Sequence, residues 1–572
     1  MTKRTQDIFS FAGLLIILVL INIIGSFKFY RVDLTAEKRF SLNPATIALL
    51  ENLDDRVLFK VYLEGDFPAD FQRLQKETRQ MLDEFRAYSS NIEYTFINPN
   101  ESEDDKTRRE IWEELRYKGL EAIQIEETEE GGSSTKQVFP GTIVSYAERE
   151  VPAHLLITQF ATAPNQQVNN SIEKLEFTLA NAIRKVTIIE KPRIAFLEGH
   201  GELEAKYVAD IGRELSQYYT VERFNIREFV TDSLQQEISI NAQQRRLNSF
   251  DALIIAKPTK PFNDLDKLLL DQFIMAGGKT LWFLDPVHAE MDSLSYAPQF
   301  LAYPKDNNLN LTDFLFRYGV RVNTNLVQDM VSGGVNDRRK VNRWIYFPLI
   351  MPQVEHPITK DLNAIKLEFA STIDTIIAPG IRKTYLLRTS PYSRVVSTPH
   401  MVSLQTLYEQ HNEATFTQHN LPVGVLLEGS FESAFKYRIT PKPNTGEQLN
   451  IVNDGRPTQM LVVGDGDIIK NQLNLVNPSI PRGQPLPLGY DQFTGMQYGN
   501  KDFILNTIDY MLDDSGLISI RSRELTLRLL DYNRLKEEES YWKILNTVVP
   551  IIAILLFGLI YTWWRRRKYS SK

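Results

Sequence analysis

Tyr541-Trp542-Lys543 is followed by Ile544-Leu545-Asn546-Thr547-Val548-Val549-Pro550-Ile551-Ile552-Ala553-Ile554-Leu555-Leu556-Phe557-Gly558-Leu559-Ile560-Tyr561, then by Thr562-Trp563-Trp564 and Arg565-Arg566-Arg567-Lys568. No charged residue lies between Ile544 and Trp564. At about 1.5 Å of rise per residue, a helix of that length spans a hydrocarbon core of roughly 30 Å. Trp542 at one end and Tyr561, Trp563 and Trp564 at the other fall where lipid headgroups would lie. The cations Arg565, Arg566, Arg567 and Lys568 put the C-terminus in the cytoplasm by the positive-inside rule. Residues 544–572 therefore read as a transmembrane helix with a basic cytoplasmic tail. The rival reading is a buried helix of a soluble core, and four consecutive cations beside tryptophans argue against it.

A second apolar run, Ile8 to Phe27, has Lys3 and Arg4 before it and Lys28 and Arg31 after it. It is longer than a usual signal-peptide core and no A-x-A-like cleavage site follows, so residues 1–34 read as an N-terminal transmembrane anchor. Its flanking charges are nearly balanced, so the C-terminal helix sets the orientation. Two crossings with an inside C-terminus put both termini in the cytoplasm and the bulk of the chain on the outer face.

Composition narrows the function classes. The 572 residues are enough for two or three domains. The net charge of −7 offers no basic footprint for nucleic acid. With no cysteine, the chain has no disulfide, thiolate metal site, cysteine nucleophile or lipid-bearing N-terminal cysteine. Its seven histidines form no H-E-x-x-H, and there is no G-x-S-x-G.

From residue 35 the periodicity predicts a small α/β domain over 35–165. Ser41 or Asn43 caps a helix opened by Pro44 and running to Leu53. Strands Val57–Leu63 and Ile92–Ile97 alternate with helices Phe71–Tyr88 and Asp104–Tyr117. Strands Leu120–Glu126 and Gln137–Tyr146 follow, around a Gly131-Gly132-Ser133-Ser134 turn. That order is thioredoxin-like, and without C-x-x-C it points to recognition or packing instead of redox work.

A helix over Asn169–Val186 leads into a larger α/β domain, 166–520, whose alternation predicts a mostly parallel sheet. Its strands are expected at Arg193–Leu197, Tyr219–Asn225, Ala252–Ala256, Lys279–Leu284, Val320–Val327, Gly424–Leu427 and Met460–Val463. Helices are expected at Glu204–Tyr218, Phe262–Ala276 and Asp502–Leu512. Long loops, Thr440–Pro457 and Asn474–Gly499, suggest segments that bind or cover something. A charged juxtamembrane helix over 521–543, read from Ser522 to Tyr541, carries Leu525, Leu529, Tyr532 and Leu535 on one face.

Three loops could carry chemistry. Gly277-Gly278-Lys279-Thr280 resembles the end of a P-loop, but Phe273 stands where its first glycine belongs, and it leads from helix to strand. It reads as a helix stop. Gly199-His200-Gly201 sits between strand and helix, where α/β folds bind ligands, and His200 with Glu198 or Glu202 could do acid–base work. The competing reading is a tight turn that needs glycine. Asp285, ending the Lys279 strand, faces the same crevice, so Gly199, His200, Gly201, Glu202 and Asp285 form the candidate ligand or partner crevice. Asp465-Gly466-Asp467 could hold a hard cation, but it lacks an EF-hand pattern and reads as a turn. No catalytic residue, cofactor site or metal site is assigned. Trp542, Trp563, Trp564, Arg565, Arg566 and Arg567 are the expected membrane-interface residues.

Several stretches in order carry a family resemblance: the first anchor with Arg31-Val32-Asp33-Leu34-Thr35 and Lys38-Arg39-Phe40-Ser41-Leu42; Phe196-Leu197-Glu198-Gly199-His200-Gly201-Glu202; Ala276-Gly277-Gly278-Lys279 with Leu284-Asp285-Pro286; and the C-terminal anchor. Together they resemble the GldG family of gliding-motility-associated ABC transporter auxiliary, so-called substrate-binding, proteins of Bacteroidetes. The resemblance implies a non-catalytic, cofactor-free subunit of the bacterial inner membrane with its large domain in the periplasm. Its implied partners are a separate ABC ATPase and a multi-spanning permease. It also implies a glutamine-amidotransferase-like larger sheet without a nucleophile, which suits a chain without cysteine. Two other functions stay open: a structural part of a motility or secretion machine, and a membrane-tethered enzyme using the His200 loop.

Overall fold

The computed structural model describes residues 41–517 except 103, 130–131, 158–163, 189, 229–238, 306–308, 337–339, 353–355, 361, 439–440, 442–448 and 514–515. It also describes 538–569 and, near the N-terminus, 11, 13–17 and 19. Ser41–Arg523 is one compact unit; Met1–Phe40 with Glu524–Lys572 is the other.

The first block of the larger unit opens with α1 (Pro44–Glu51), where Pro44 takes the first turn and the Asn43 side chain accepts from the Ala45 N–H at 2.9 Å. Then come β1 (Val57–Val61), α2 (Ala69–Tyr88), β2 (Ile92–Phe96), α3 (Asp105–Tyr117), β3 (Ile123–Glu129), β4 (Gly132–Val138), β5 (Gly141–Tyr146) and β6 (Arg149–His154). Helices α4 (Pro164–Glu173) and α5 (Leu175–Thr187) close the block, where the sequence suggested one helix. The sheet order is β2-β1-β5-β6, with β1 and β2 parallel and the other pairs antiparallel. Phe59, Leu74, Leu82, Phe85, Val144, Leu179 and Ile183 pack in its core. Strand β6 escaped sequence reading because its turn uses Ala147 at φ 50°, a left-handed position that no glycine or asparagine announces. β3 and β4 pair as a separate hairpin.

The second block is built on seven strands: β7 (Arg193–Glu198), β8 (Thr220–Asn225), β9 (Ala252–Ala256), β10 (Lys279–Phe283), β11 (Ile381–Arg388), β12 (Pro422–Glu432) and β13 (Asp454–Val463). Their order is β11-β12-β13-β10-β9-β7-β8. The five from β13 to β8 are parallel, and β12 and β11 add an antiparallel edge. All of β9 is buried, as expected of a strand covered on both faces. Leu253 and Ile255 enter one core with α7 (Ile240–Leu247) and α8 (Asp264–Met275). Ala252, Ile254 and Ala256 enter the opposite core with α6 (Ala209–Ser216) and the helix Asn500–Leu512. That split follows from the two-residue period of a strand.

Between β10 and β13 the chain departs into an insertion. It contains α9 (Thr312–Arg317) and small antiparallel sheets around Trp344, Tyr346, Phe347 and Phe369. The strand expected over Val320–Val327 is broken into Val320–Val322 and Asn325–Asp329, which pair with different partners. Strand β13 also runs back to Asp454, shortening the first expected loop.

The helix Asn500–Leu512 (α10) joins the two blocks. Asp509 lies 3.5 Å from both Arg184 and Lys185 of α5, and Asp513 lies 3.6 Å from Arg184. The Tyr219 hydroxyl donates to Asp509 at 2.5 Å, and the Lys185 ammonium sits 3.8 Å over the Tyr218 ring. Burial alone would raise the Asp509 carboxyl, but Lys185 and Arg184 hold it below the usual carboxylate range.

In the terminal unit, α11 (Glu539–Tyr569) is continuous through Pro550 and includes the basic cluster. Among the described residues it is the one helix long and apolar enough to cross a membrane: Ser540–Lys568, with a mean hydropathy of 2.4 over its most apolar 18 residues, none of them buried. The expected N-terminal crossing lies mostly outside the described residues; those described, 11, 13–17 and 19, are helical. The expected juxtamembrane helix likewise falls mostly on residues outside the description.

Asp509→Ala should cost about 3–5 kcal/mol, because it strands two buried cations. Denaturant unfolding at neutral pH measures this. The depressed carboxyl contributes stability that is present at neutral pH and lost as pH falls through its folded value, below the usual carboxylate range. The gap between wild type and variant should therefore close in acid.

Candidate functional site

In an open parallel sheet the ligand crevice forms where successive connections leave to opposite sides. Here that point lies between β7 and β9. From β7 the chain passes through α6 to β8 on one side, then through α7 to β9 on the other. Gly199-His200-Gly201-Glu202 follows β7, so the sequence motif sits at this point. Gly199 and Gly201 take φ of 125° and 71°. A Cβ on Gly201 would fall 2.3 Å from the Thr259 hydroxyl oxygen.

The crevice is filled by the loop's own histidine. His200 is fully buried, stacked on Phe262 with ring centroids 3.5 Å apart. Its Nδ1 lies 3.1 Å from Glu202 and its Nε2 3.0 Å from Asp266. Its N–H donates to Glu202 at 2.7 Å, and its carbonyl accepts from the Thr259 and Lys260 amides at 2.9 and 2.8 Å. Asp266 closes the capping box of α8 with Asn263 and also accepts from Arg227 at 2.7 Å. Burial would raise the Asp266 carboxyl, but His200, Arg227 and the Asn263 amide more than offset it and hold it low. Both ring nitrogens are engaged, so the residue pins the loops after β7 and β9 to the start of α8.

Asp285 enters a different cluster, at the ends of β9, β10 and β13. Lys257, just past β9 with φ 52°, puts its ammonium 2.7 Å from both carboxylate oxygens of Asp467. The same ammonium is 3.2 Å from Asp285 and 3.7 Å from Glu290. Asp285 accepts from the Gly466 amide. Asp465 accepts from the amides of Glu368 and Asp467, both at 2.7 Å. Lys470 reaches Asp467 at 3.4 Å, and the Lys305 ammonium donates to the Pro258 carbonyl at 3.4 Å.

The charges in this cluster offset one another. Burial would lower the Lys257 ammonium, but Asp467, Asp285 and Glu290 hold it well above its ordinary value. Burial would raise Asp467, yet Lys257 and Lys470 hold it low. Asp465 is pushed well up by burial, then by Asp285 and Asp467. Lys305 is pushed down by burial, with partial compensation from Asp285. One oxygen each from Asp285, Asp465 and Asp467 lies within 4.8 Å of the others, a spacing a hard cation could use. The Lys257 ammonium already lies against two of these carboxylates.

The structure thus brings Asp285 together with Asp465-Gly466-Asp467. Gly199, His200, Gly201 and Glu202 group instead with Asp266, and no hydrogen bond or ion pair among the described residues joins His200 to Asp285. Sequence reading missed Lys257 and Asp266, and read Asp467 as part of a turn. Asp266 was legible as the third residue after a capping Asn263; Lys257, a lone lysine after an apolar strand, gave no signal. In α11, Trp542, Trp563, Trp564, Arg565, Arg566 and Arg567 are exposed, with Arg567 4.6 Å over the Trp563 ring.

Residues 191–507 match the family model described as ABC-type uncharacterized transport system. Residues 36–145 match a domain of unknown function, DUF7088. No curated protein matches the chain. Among solved structures, the mmIFT52 N-terminal domain is 13% identical, with 56% of this chain and 98% of that chain covered, at a TM-score of 0.32, too low a likeness to carry an argument.

Asp467→Asn should cost about 3 kcal/mol at neutral pH, since it removes the main carboxylate facing a buried ammonium. Asp465→Asn should cost less, about 1–2 kcal/mol, because no cation is left unpaired but the new amide nitrogen would face one of the two backbone N–H groups that the carboxyl oxygens accept from. Unfolding midpoints of the two variants check this contrast.

Proposed function

Because the chain belongs to the ABC-type uncharacterized transport system family, we propose that it is a non-catalytic, membrane-anchored accessory subunit working beside an ABC ATPase and a multi-spanning permease. The family match over 191–507 carries this reading. The apolar helix Ser540–Lys568, ended by basic residues, supports a bilayer anchor. In the fuller reading Ile8 to Phe27 is a second anchor, both termini are cytoplasmic and the large unit is periplasmic. The Arg31–Leu42 and Phe196–Glu202 stretches favour a system tied to gliding motility. The β2-β1-β5-β6 order favours a thioredoxin-like first block that recognises or packs. A glutamine-amidotransferase-like origin for the second block suits five parallel strands and a chain without cysteine.

The filled crevice favours the accessory role over an enzyme based on His200. With both ring nitrogens engaged and no solvent contact, the side chain has no open position for a substrate proton. His200→Ala should lower stability by about 3 kcal/mol, since it leaves two buried carboxylates facing each other. Loss of activity at unchanged stability would favour the enzyme instead. Purification of the tagged full-length chain in mild detergent should recover an ATPase and a permease. A solitary chain after crosslinking in cells would remove the accessory reading.

A further inference from the structure

Four exposed apolar side chains gather where the loop after β13 meets the hairpin of Ser332–Asn336 and Val341–Ile350. Leu475 and Val476 are each 57% exposed, Val341 48% and Phe493 46%. Their contiguity follows from bonds beneath them. The Leu475 amide donates to the Gln492 side chain at 2.7 Å. The Asn336 side chain donates to the Phe493 carbonyl at 2.9 Å, and Asn336 pairs in register with Val341. A Cβ on Gly334 would fall 2.3 Å from a Val341 methyl and 3.5 Å from the Thr494 methyl, so both side chains close over it. Scattered apolar residues are ordinary on a surface; a contiguous group on ordered loops marks a contact site.

The charges around this group indicate the kind of partner. Arg343 pairs in register with Gly334 beside Val341. Arg482 lies next to Gly483 and Gln484, whose backbones bond Asn474, the neighbour of Leu475. Both arginines are exposed, and among the described residues neither has an ion-pair partner. The carboxylate inside the group, Asp491, is buried and turned to Lys366 at 2.9 Å. Apolar tips rimmed by arginines match an anionic lipid surface: the tips enter the headgroup boundary while guanidinium forks take phosphates. Each cation near an anionic leaflet adds to the attraction, and salt screens it. The chain also carries its own apolar helix, which raises the effective concentration of bilayer, so a weak patch suffices.

We propose that Leu475, Val476, Phe493 and Val341, with Arg343 and Arg482, form a docking surface for an anionic lipid bilayer. This does not depend on the transport reading. The chain has no cysteine, so Val476→Cys in the full-length protein takes a single environment-sensitive fluorophore. The labelled protein is reconstituted in nanodiscs of phosphatidylcholine, with or without phosphatidylglycerol, and with or without doxyl-labelled acyl chains. Doxyl lipid should lower the emission by about half in anionic discs and much less in neutral ones. The quench should vanish with Arg343→Glu and Arg482→Glu together, whose far-ultraviolet circular dichroism should match the parent. A label on Tyr117→Cys, at a site 93% exposed on α3, should not respond. No quench in anionic discs, or one that survives the double charge reversal, overturns the proposal. So does protection of the label from iodide only when other proteins of native membranes are added, which would assign the patch to a protein partner.

Discussion

The ammonium of Lys257 ties together the ends of three neighbouring strands, and the larger block depends on that tie. Lys257 follows β9, Asp285 follows β10, and Asp467 follows β13. Strands β10 and β13 are parallel neighbours, Thr280 beside Met460, although the whole insertion and the strands β11 and β12 lie between them in the chain. Closing so long a loop costs entropy, though the cost grows slowly with length. A buried charge cluster bridging both ends of the excursion makes any other register leave a charge unpaired, which is far more expensive. The insertion is therefore pinned where it leaves the sheet and where it returns.

The same edge of the sheet carries two charged clusters. Open parallel sheets expose a crevice at the point where connections diverge. In this chain the crevice holds His200, and the neighbouring strand ends hold the Lys257 cluster. Each cluster pairs groups of opposite kind: His200 with Glu202 and Asp266, Lys257 with Asp467 and Asp285. Polar groups so arranged rigidify the loops they belong to.

The joint at Asp509 works on the same physical rule in another place. Two cations from α5 and two carboxylates from the α10 end meet where both are largely withdrawn from water. Leu517, a few residues beyond, is buried among the first block's core residues. The two blocks of the larger unit are thus held by paired charges as well as by apolar packing, so partial loosening of either block would expose unmatched charge.

Much of the architecture was legible in the amino-acid order. Alternating apolar runs marked β7, β9 and β10, and apolar residues at helical spacing marked α2, because strand and helix periods impose themselves on which residues can face a core. The uninterrupted apolar run and its tryptophan–arginine end marked α11. Strand β6 was not legible, since Ala147 turns the chain without a turn residue. Asp285 stood out as a strand-end acid and was grouped with the His200 loop, but its partners lie at Lys257, Gly466 and Asp467, which no local spacing connects. Composition and periodicity determined by themselves that the chain is an α/β protein without cysteine chemistry and with an apolar C-terminal helix, because those properties are local. Only the tertiary structure decided that His200 is a buried pin and that Lys257 gathers distant carboxylates, because burial and charge pairing depend on which loops the sheet brings side by side.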